Sequence, residues 1–178
     1  MTTKSPELRL ADYIRSIRDF PKPGILFRDV TPLLANPAAL RLAAVKMADP
    51  FRSENVDIVV GAEARGFIFA AAVALELGVG LAPIRKPGKL PFHVESLAYD
   101  LEYGANVLEI HTDAIAPKAR VLVVDDLLAT GGTVEACCRL VEKLGGIVVG
   151  CSFLIELAGL RGARRIAKYK TVSLIKYE

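Results

Sequence analysis

No apolar run in this chain reaches the ~18 residues that a membrane-crossing helix needs; the longest, around Gly66–Leu75, is short and rich in alanine. The opening MTTKSPELRLADYIRS carries charges throughout and has no apolar core of the kind a secretory leader uses, so a cytoplasmic location without membrane contact is expected. Cysteines are few: Cys137, Cys138 and Cys151 form no CxxC pair and are odd in number, which favours buried, reduced thiols. Histidines are scarcer still, with only His93 and His111, neither near a cysteine, and this argues against a zinc site. A net charge of +3 is too mild to imply a nucleic-acid partner. There is no internal repeat, no low-complexity tract and no sign of a second domain, so residues 1–178 are read as a single domain.

What the chain does have is a globular balance of 52% hydrophobic and 24% charged residues. Apolar runs of strand length, at 57–61 (DIVVG), 80–84 (GLAPI), 120–124 (RVLVV), 147–154 (IVVGCSFL) and 171–175 (TVSLI), alternate with helical patterns at 38–48, 66–77 and 133–144. In the last helix Val134, Cys137, Cys138 and Val141 fall at i, i+3, i+4 and i+7, one face of the turn. Strands apolar on both faces and separated by helices predict an α/β fold, a doubly wound parallel sheet.

Two segments break the alternation. FPKPGILFRDVTPLL (Phe20–Leu34) is punctuated by prolines and a glycine and reads as an ordered loop. Between Arg85 and Ile115, PGKLP excludes helix, and VESLAYDL and NVLEIH, separated by EYGA, look like two antiparallel strands. A flap of about thirty residues inserted between core strands has the length of a functional lid.

The chemistry gathers at VLVVDDLLATGGT (residues 121–133). In open parallel α/β sheets ligands bind beyond the carboxyl ends of the strands, where VLVV delivers Asp125 and Asp126. Ala129, Thr130, Gly131, Gly132 and Thr133 then turn into a helix; small residues let the backbone approach an anion, and the helix N-terminus favours it. The NTPase loop GxxxxGK[ST] and the dinucleotide fingerprint GxGxxG are both absent. A carboxylate pair would repel phosphate but accept hydrogen bonds from a ribose diol, so the motif suits a ribose 5-phosphate. A strand ending in solvated acids before a glycine turn is the bland alternative.

This stretch resembles the phosphoribosyl-pyrophosphate motif of the type I phosphoribosyltransferases, and its DDLLATGGT wording is similar to that of the members acting on adenine. The likeness extends through FPKPGILFRDVTPLL, GAEARGFIFAAAVA, RKPGKLP, LEYG and SLIKYE. It implies conversion of adenine and phosphoribosyl pyrophosphate to AMP and pyrophosphate, a β-flap hooding the site and an N-terminal loop over the base. By the same resemblance Glu63, Ala64 and Arg65 would bind pyrophosphate, with a cis peptide between Glu63 and Ala64. Arg85, Lys86 and Lys89 put three cations within five residues at the flap root and would join them; locally they also read as a solvated basic loop. Phe27 would stack on adenine, the main chain at Leu26 and Arg28 would read its edge, and Leu157 would close the opposite face; without the resemblance Phe27 and Leu157 read as core. Glu102 would assist proton transfer and Tyr103 lid closure, against the alternative of a solvated hairpin turn.

The resemblance further implies Mg²⁺ carried by the substrate's pyrophosphate and ribose hydroxyls, with no direct protein ligand, and a homodimer. Phe92-His93 departs from the family's usual flap sequence; His93 reads as an exposed flap residue and His111 as structural. A phosphoribosyltransferase for another base, or a non-catalytic regulator binding phosphoribosyl pyrophosphate, are the alternatives; GILFRD and EYG favour adenine, and Glu102, Arg65, Lys86 and Lys89 favour catalysis.

Overall fold

A computed structural model describes residues 8–101 and 104–178, with no account of side chains between 100 and 105. By contacts the chain forms two compact units, 1–43 and 44–178. In the first, β1 (Arg15–Arg18) pairs antiparallel with β2 (Leu26–Asp29), followed by α1 (Thr31–Ala35). The stretch expected to be a loop is therefore a hairpin arm and a short helix. The prolines hide this: Pro21 follows a cis bond in the turn, and Gly24 takes φ +84° there while its N–H donates to Asp19 Oδ1 at 2.7 Å. The Phe20 ring meets Phe27 edge-on at 5.0 Å. Asp29 Oδ1 accepts from the Thr31 N–H at 2.9 Å and so fastens the strand to α1. The next helix, α2 (Pro37–Ala48), crosses the division, its start capped by the Asn36 side chain, which accepts from Ala39 N–H.

The second unit is built on β3 (Ile58–Ala62), α3 (Gly66–Leu77), β4 (Gly80–Ile84), β5 (Val94–Leu101), β6 (Gly104–His111), β7 (Arg120–Leu128), α4 (Gly132–Lys143), β8 (Ile147–Leu157) and β9 (Thr171–Tyr177). Five of these strands form one parallel sheet in the order β4-β3-β7-β8-β9, as the alternating sequence predicts. The chain leaves β3 toward one edge through α3 and β4. It returns at β7 on the other side of β3 and winds outward through α4, β8 and β9. The direction of winding reverses between β3 and β7, where a doubly wound sheet opens its ligand crevice.

Burial follows from composition. Val121 to Val124 are at most 1% exposed, as a central parallel strand requires. From α4, Val134, Cys137, Cys138 and Val141, the face picked out by spacing, all pack into the core cluster. The three cysteines are free and buried, with Cys138 and Cys151 Sγ atoms 3.7 Å apart. Among the described residues no helix is long and apolar enough to cross a membrane.

The flap leaves β4, runs out along β5 and returns along β6, which pair antiparallel from Val94↔His111 to Leu101↔Gly104. Its root is closed by reciprocal backbone hydrogen bonds between Arg85 and Glu109, at 2.9 and 2.8 Å. Glu102 and Tyr103 lie outside the described residues.

Candidate active site

The core strands do not end level. Pairing of β3 with β7 stops at Gly61↔Val124, whereas β7 continues against β8 through Asp125↔Phe153 to Leu128↔Glu156. The strand thus extends four residues past the expected Val124, because β8 supplies a ladder that outweighs the poor strand preference of aspartate. Asp125 and Asp126 consequently stand at a step, where β7 outruns β3.

Below that step lies a cavity of about 310 Å³, lined by residues 63–65 from the end of β3 and 125–134 from the end of β7 and the start of α4. Its three walls differ chemically. The first is the acid pair. Asp126 is 5% exposed, and its Oδ2 lies 2.7 Å from Arg65 Nε. The contact is an ion pair by distance, but among the described residues no hydrogen bond of good angle reaches this buried oxygen. Asp125 keeps part of its surface, though its carboxyl is packed against the start of α3: a Cβ on Gly66 would stand 2.5 Å from Asp125 Oδ1. That Oδ1 accepts from the Asp126 N–H at 2.8 Å. Burial, and then the neighbouring Asp126 charge, hold the Asp125 carboxyl well above the usual carboxylate range. Burial also raises Asp126, against the opposing pull of Arg65. Asp126 Oδ2 keeps acceptor capacity beside the cavity.

The second wall is the turn 129–133. Gly131 takes φ +85° at the N-cap of α4, with no side-chain cap, so the first-turn N–H groups remain for an anion. The turn is supported from beneath by Gly162, just past β8. A Cβ at Gly162 would collide with the Ala129 carbonyl and lie 2.8 Å from Gly131 N, and one at Gly131 would lie 2.5 Å from Gly162 O. Backbone meets backbone there, and neither glycine can be replaced without movement. Sequence reasoning missed Gly162: it sits among arginines in LRGARR, 31 residues from Gly131, and nothing local marks it.

The third wall is Glu63-Ala64-Arg65, whose first peptide bond is cis, as the resemblance implies. Arg65 reaches across to Asp126, while Glu63 looks toward the flap root. Glu63 Oε2 accepts from Lys86 N–H at 3.1 Å and from Arg85 Nε at 3.2 Å. Those contacts, the Lys86 N–H first, keep the Glu63 carboxyl below its ordinary range. Arg85 also donates to the Lys89 carbonyl at 3.2 Å; Lys86 and Lys89 are exposed. The three cations are thus gathered at one root, but they do not line the cavity itself.

The expected base contacts fall in both units. Leu26, Phe27 and Arg28 form β2 in the first; Leu26 is 44% exposed and Phe27 half-buried. In a two-stranded ladder, alternate backbone groups of β2 are directed away from β1. Leu157 ends β8 in the second unit and is half-buried, so neither Phe27 nor Leu157 is a closed core residue. His93 is exposed, and His111 is partly buried with its ring edge-on to Phe92, both as read from sequence.

The family profile for the phosphoribosyl transferase domain matches residues 29–177, and the chain belongs to that phosphoribosyltransferase family. Adenine phosphoribosyltransferases are among its relatives. The adenine phosphoribosyltransferase of Rhodopirellula baltica is 57% identical over 168 residues, covering 94% of this chain and 82% of the relative. The crystal structure of adenine phosphoribosyltransferase from Thermoanaerobacter pseudethanolicus superposes with a TM-score of 0.92 at 48% identity, covering 94% and 98% of the two chains. That from Saccharomyces cerevisiae, complexed with an imino-altritol bisphosphate and adenine, gives 0.87 at 37% identity over 93% and 96%.

Proposed function

We infer that this protein is an adenine phosphoribosyltransferase, a pentosyltransferase that joins adenine to phosphoribosyl pyrophosphate and releases AMP and pyrophosphate. The observation that carries the reading is the cavity at the winding reversal, where a pair of carboxyl groups, Asp125 and Asp126, shares the lining with an uncapped helix N-terminus. That pairing of opposite preferences suits a ligand with a diol at one end and a phosphate at the other.

In this reading Asp125 and Asp126 accept from the ribose 2′- and 3′-hydroxyls, and residues 129–133 donate to the 5′-phosphate through backbone N–H groups and the two threonine hydroxyls. As the bond from C1 to pyrophosphate lengthens, positive charge builds on the sugar and negative charge on the leaving group. Glu63, Ala64 and Arg65 receive that group, and Arg85, Lys86 and Lys89 add cations from the flap root, because fixed donors stabilise developing charge best. The carboxylates also stabilise the cationic sugar. Adenine stacks on Phe27, with main-chain readout at Leu26 and Arg28 favouring a 6-amino group, and Leu157 covers the opposite face. Glu102 takes part in moving the proton that leaves the base, worth ~10²–10⁴-fold in rate, and Tyr103 helps the flap exclude water.

The donor set bears on the metal. No group of three metal-ligating side chains occurs among the described residues. Asp125 and Asp126 fit a cation held at one remove, through the ribose hydroxyls they accept from. Mg²⁺ bound to the substrate would neutralise part of the pyrophosphate charge. The reading extends to one phosphoribosyltransferase domain spanning 1–178, to a cytoplasmic location, supported by three free thiols, and to a homodimer. For the dimer the support is exposed apolar surface on α3 and the edge strand β4, where Ile68, Leu75 and Leu81 are 42%, 84% and 37% exposed.

Pyrophosphate release with phosphoribosyl pyrophosphate and Mg²⁺, offering adenine, hypoxanthine, guanine and orotate separately, tests the proposal. Release with adenine alone is expected. Release with another base overturns the roles of Leu26, Phe27, Arg28 and Leu157; silence with every base overturns the enzyme.

A further inference from the structure

The flap strand β5 lies along α4 and is tied to it at both ends. Near the helix C-terminus Lys143 is paired with Glu95 at 2.5 Å, and near its N-terminus the Tyr99 hydroxyl lies 3.3 Å from Thr133 Oγ1. The spans agree: four strand residues cover ~13 Å and ten helical residues ~15 Å. So β5 runs antiparallel to α4 and matches most of its length. The Tyr99 ring also packs on the core cluster that includes Val134 and Cys137, which fixes where its hydroxyl can point. At 3.3 Å the contact is longer than the usual hydroxyl pair, and either oxygen can donate.

Ligand chemistry decides the direction. A phosphate offers only acceptors, so when one occupies the turn Thr133 must spend its single proton on it. The Tyr99 contact then survives only with Tyr99 as donor. We propose that Tyr99 is a positioning residue for the phosphate turn: it donates to Thr133 Oγ1, aims the Thr133 proton at the phosphate and makes the flap strand and the turn respond together. This rests on the reading of residues 129–133 as the phosphate cradle. Its consequence is directional. A ligand phosphate forces the one orientation of the hydrogen bond in which the flap is fastened to the occupied site, whereas pyrophosphate bound at residues 63–65 has no such link.

The test is calorimetric binding of ribose 5-phosphate and, separately, of pyrophosphate to the full chain and to Tyr99→Phe, Thr133→Val, Thr133→Ser and the Tyr99→Phe combinations. Tyr99→Phe keeps the packed ring and removes only the hydroxyl. It should weaken ribose 5-phosphate roughly 5-fold, the scale of one net hydrogen bond, with pyrophosphate unchanged. The same loss should appear on Thr133→Ser, which retains a hydroxyl, and vanish on Thr133→Val, which itself weakens ribose 5-phosphate about 10-fold or more. Three results overturn the proposal while leaving the cradle intact: no loss in Tyr99→Phe, an equal loss on Thr133→Val, or a matching loss of pyrophosphate. If Thr133→Val binds ribose 5-phosphate normally, the Thr133 contact in the cradle falls and the proposal falls with it.

Discussion

At the end of β3, the segment Glu63 to Arg65 is held by charged side chains: Arg65 to Asp126, and Glu63 to Arg85 and to the Lys86 N–H. At the end of β7, the turn 129–131 is held by backbone against Gly162, with no space for a single extra carbon. The two ends face each other across one cavity yet are stabilised by different physics. Ion pairs whose arginines keep about a third of their side-chain surface in water can adjust by rotating a side chain and are partly screened by salt. Close backbone packing is stiff and cannot adjust by rotating a side chain. Under the proposed function, a soft holder suits the end assigned to pyrophosphate, where charge arrives and leaves in each turnover. A stiff one suits the end assigned to a phosphate that stays on the sugar throughout.

The largest expected effect tests the stiffness. Gly162→Ala must displace the turn, with overpacking costing ~1–3 kcal/mol in denaturant unfolding and ribose 5-phosphate binding falling by about 10²-fold, the scale of a 1 Å misplacement. Gly80→Ala is the control, since its Cβ would meet only Ile58 Cγ1 at 4.0 Å; near-neutral behaviour there and at Gly162 would remove the contrast. Next, Asp126→Ala should weaken ribose 5-phosphate about 10- to 100-fold, the range for hydrogen bonds to charged groups. Pyrophosphate should bind no more weakly, because Arg65 is released; equal losses of both in calorimetry would mean the two ends are one.

Asp125→Asn should move stability and binding in opposite directions. A carboxyl whose folded pKa is raised contributes its stability below the unfolded value, and that contribution is lost as pH rises through the folded value. Removing the charge should therefore raise the thermal midpoint at neutral pH, with little gain in acid, while ribose 5-phosphate binding declines. A midpoint that falls at neutral pH contradicts the burial argument. The smallest effect belongs to Glu63→Gln: with Arg85 released, pyrophosphate affinity should rise by a few-fold at most, about the worth of one exposed pair, a gain fading in high salt. A gain that persists in high salt would make this end as stiff as the other.

How much of this was legible depended on the range of the interaction. Local pattern located α3 at Gly66–Leu77 and β4 at Gly80–Ile84 to the residue, because apolar spacing and flanking glycines are near-neighbour signals. It stopped β7 at Val124, since two acids look like a strand end and only pairing with β8 carries the strand to Leu128. It took Leu26–Asp29 for loop, because Pro21 and Pro23 speak locally and the β1 partner does not. The glycine turn before α4, the acid pair at the cavity and the inserted flap were legible because each is a short run of one chemistry. Gly162 and Tyr99 were not: one matters through a turn 31 residues earlier, the other through a helix 34 residues later.

The support at Gly162 also sets an order of events during synthesis. A growing polypeptide made only as far as α4 already contains the acid pair, the anion turn and the whole flap. It lacks the glycine against which that turn is seated, and the strand β9 that pairs with β8. The seating of that turn should therefore come only after Gly162 has been joined to the growing chain. A message cut short between α4 and Gly162 would yield a product carrying the whole acid-and-turn motif, and no firm seat beneath it.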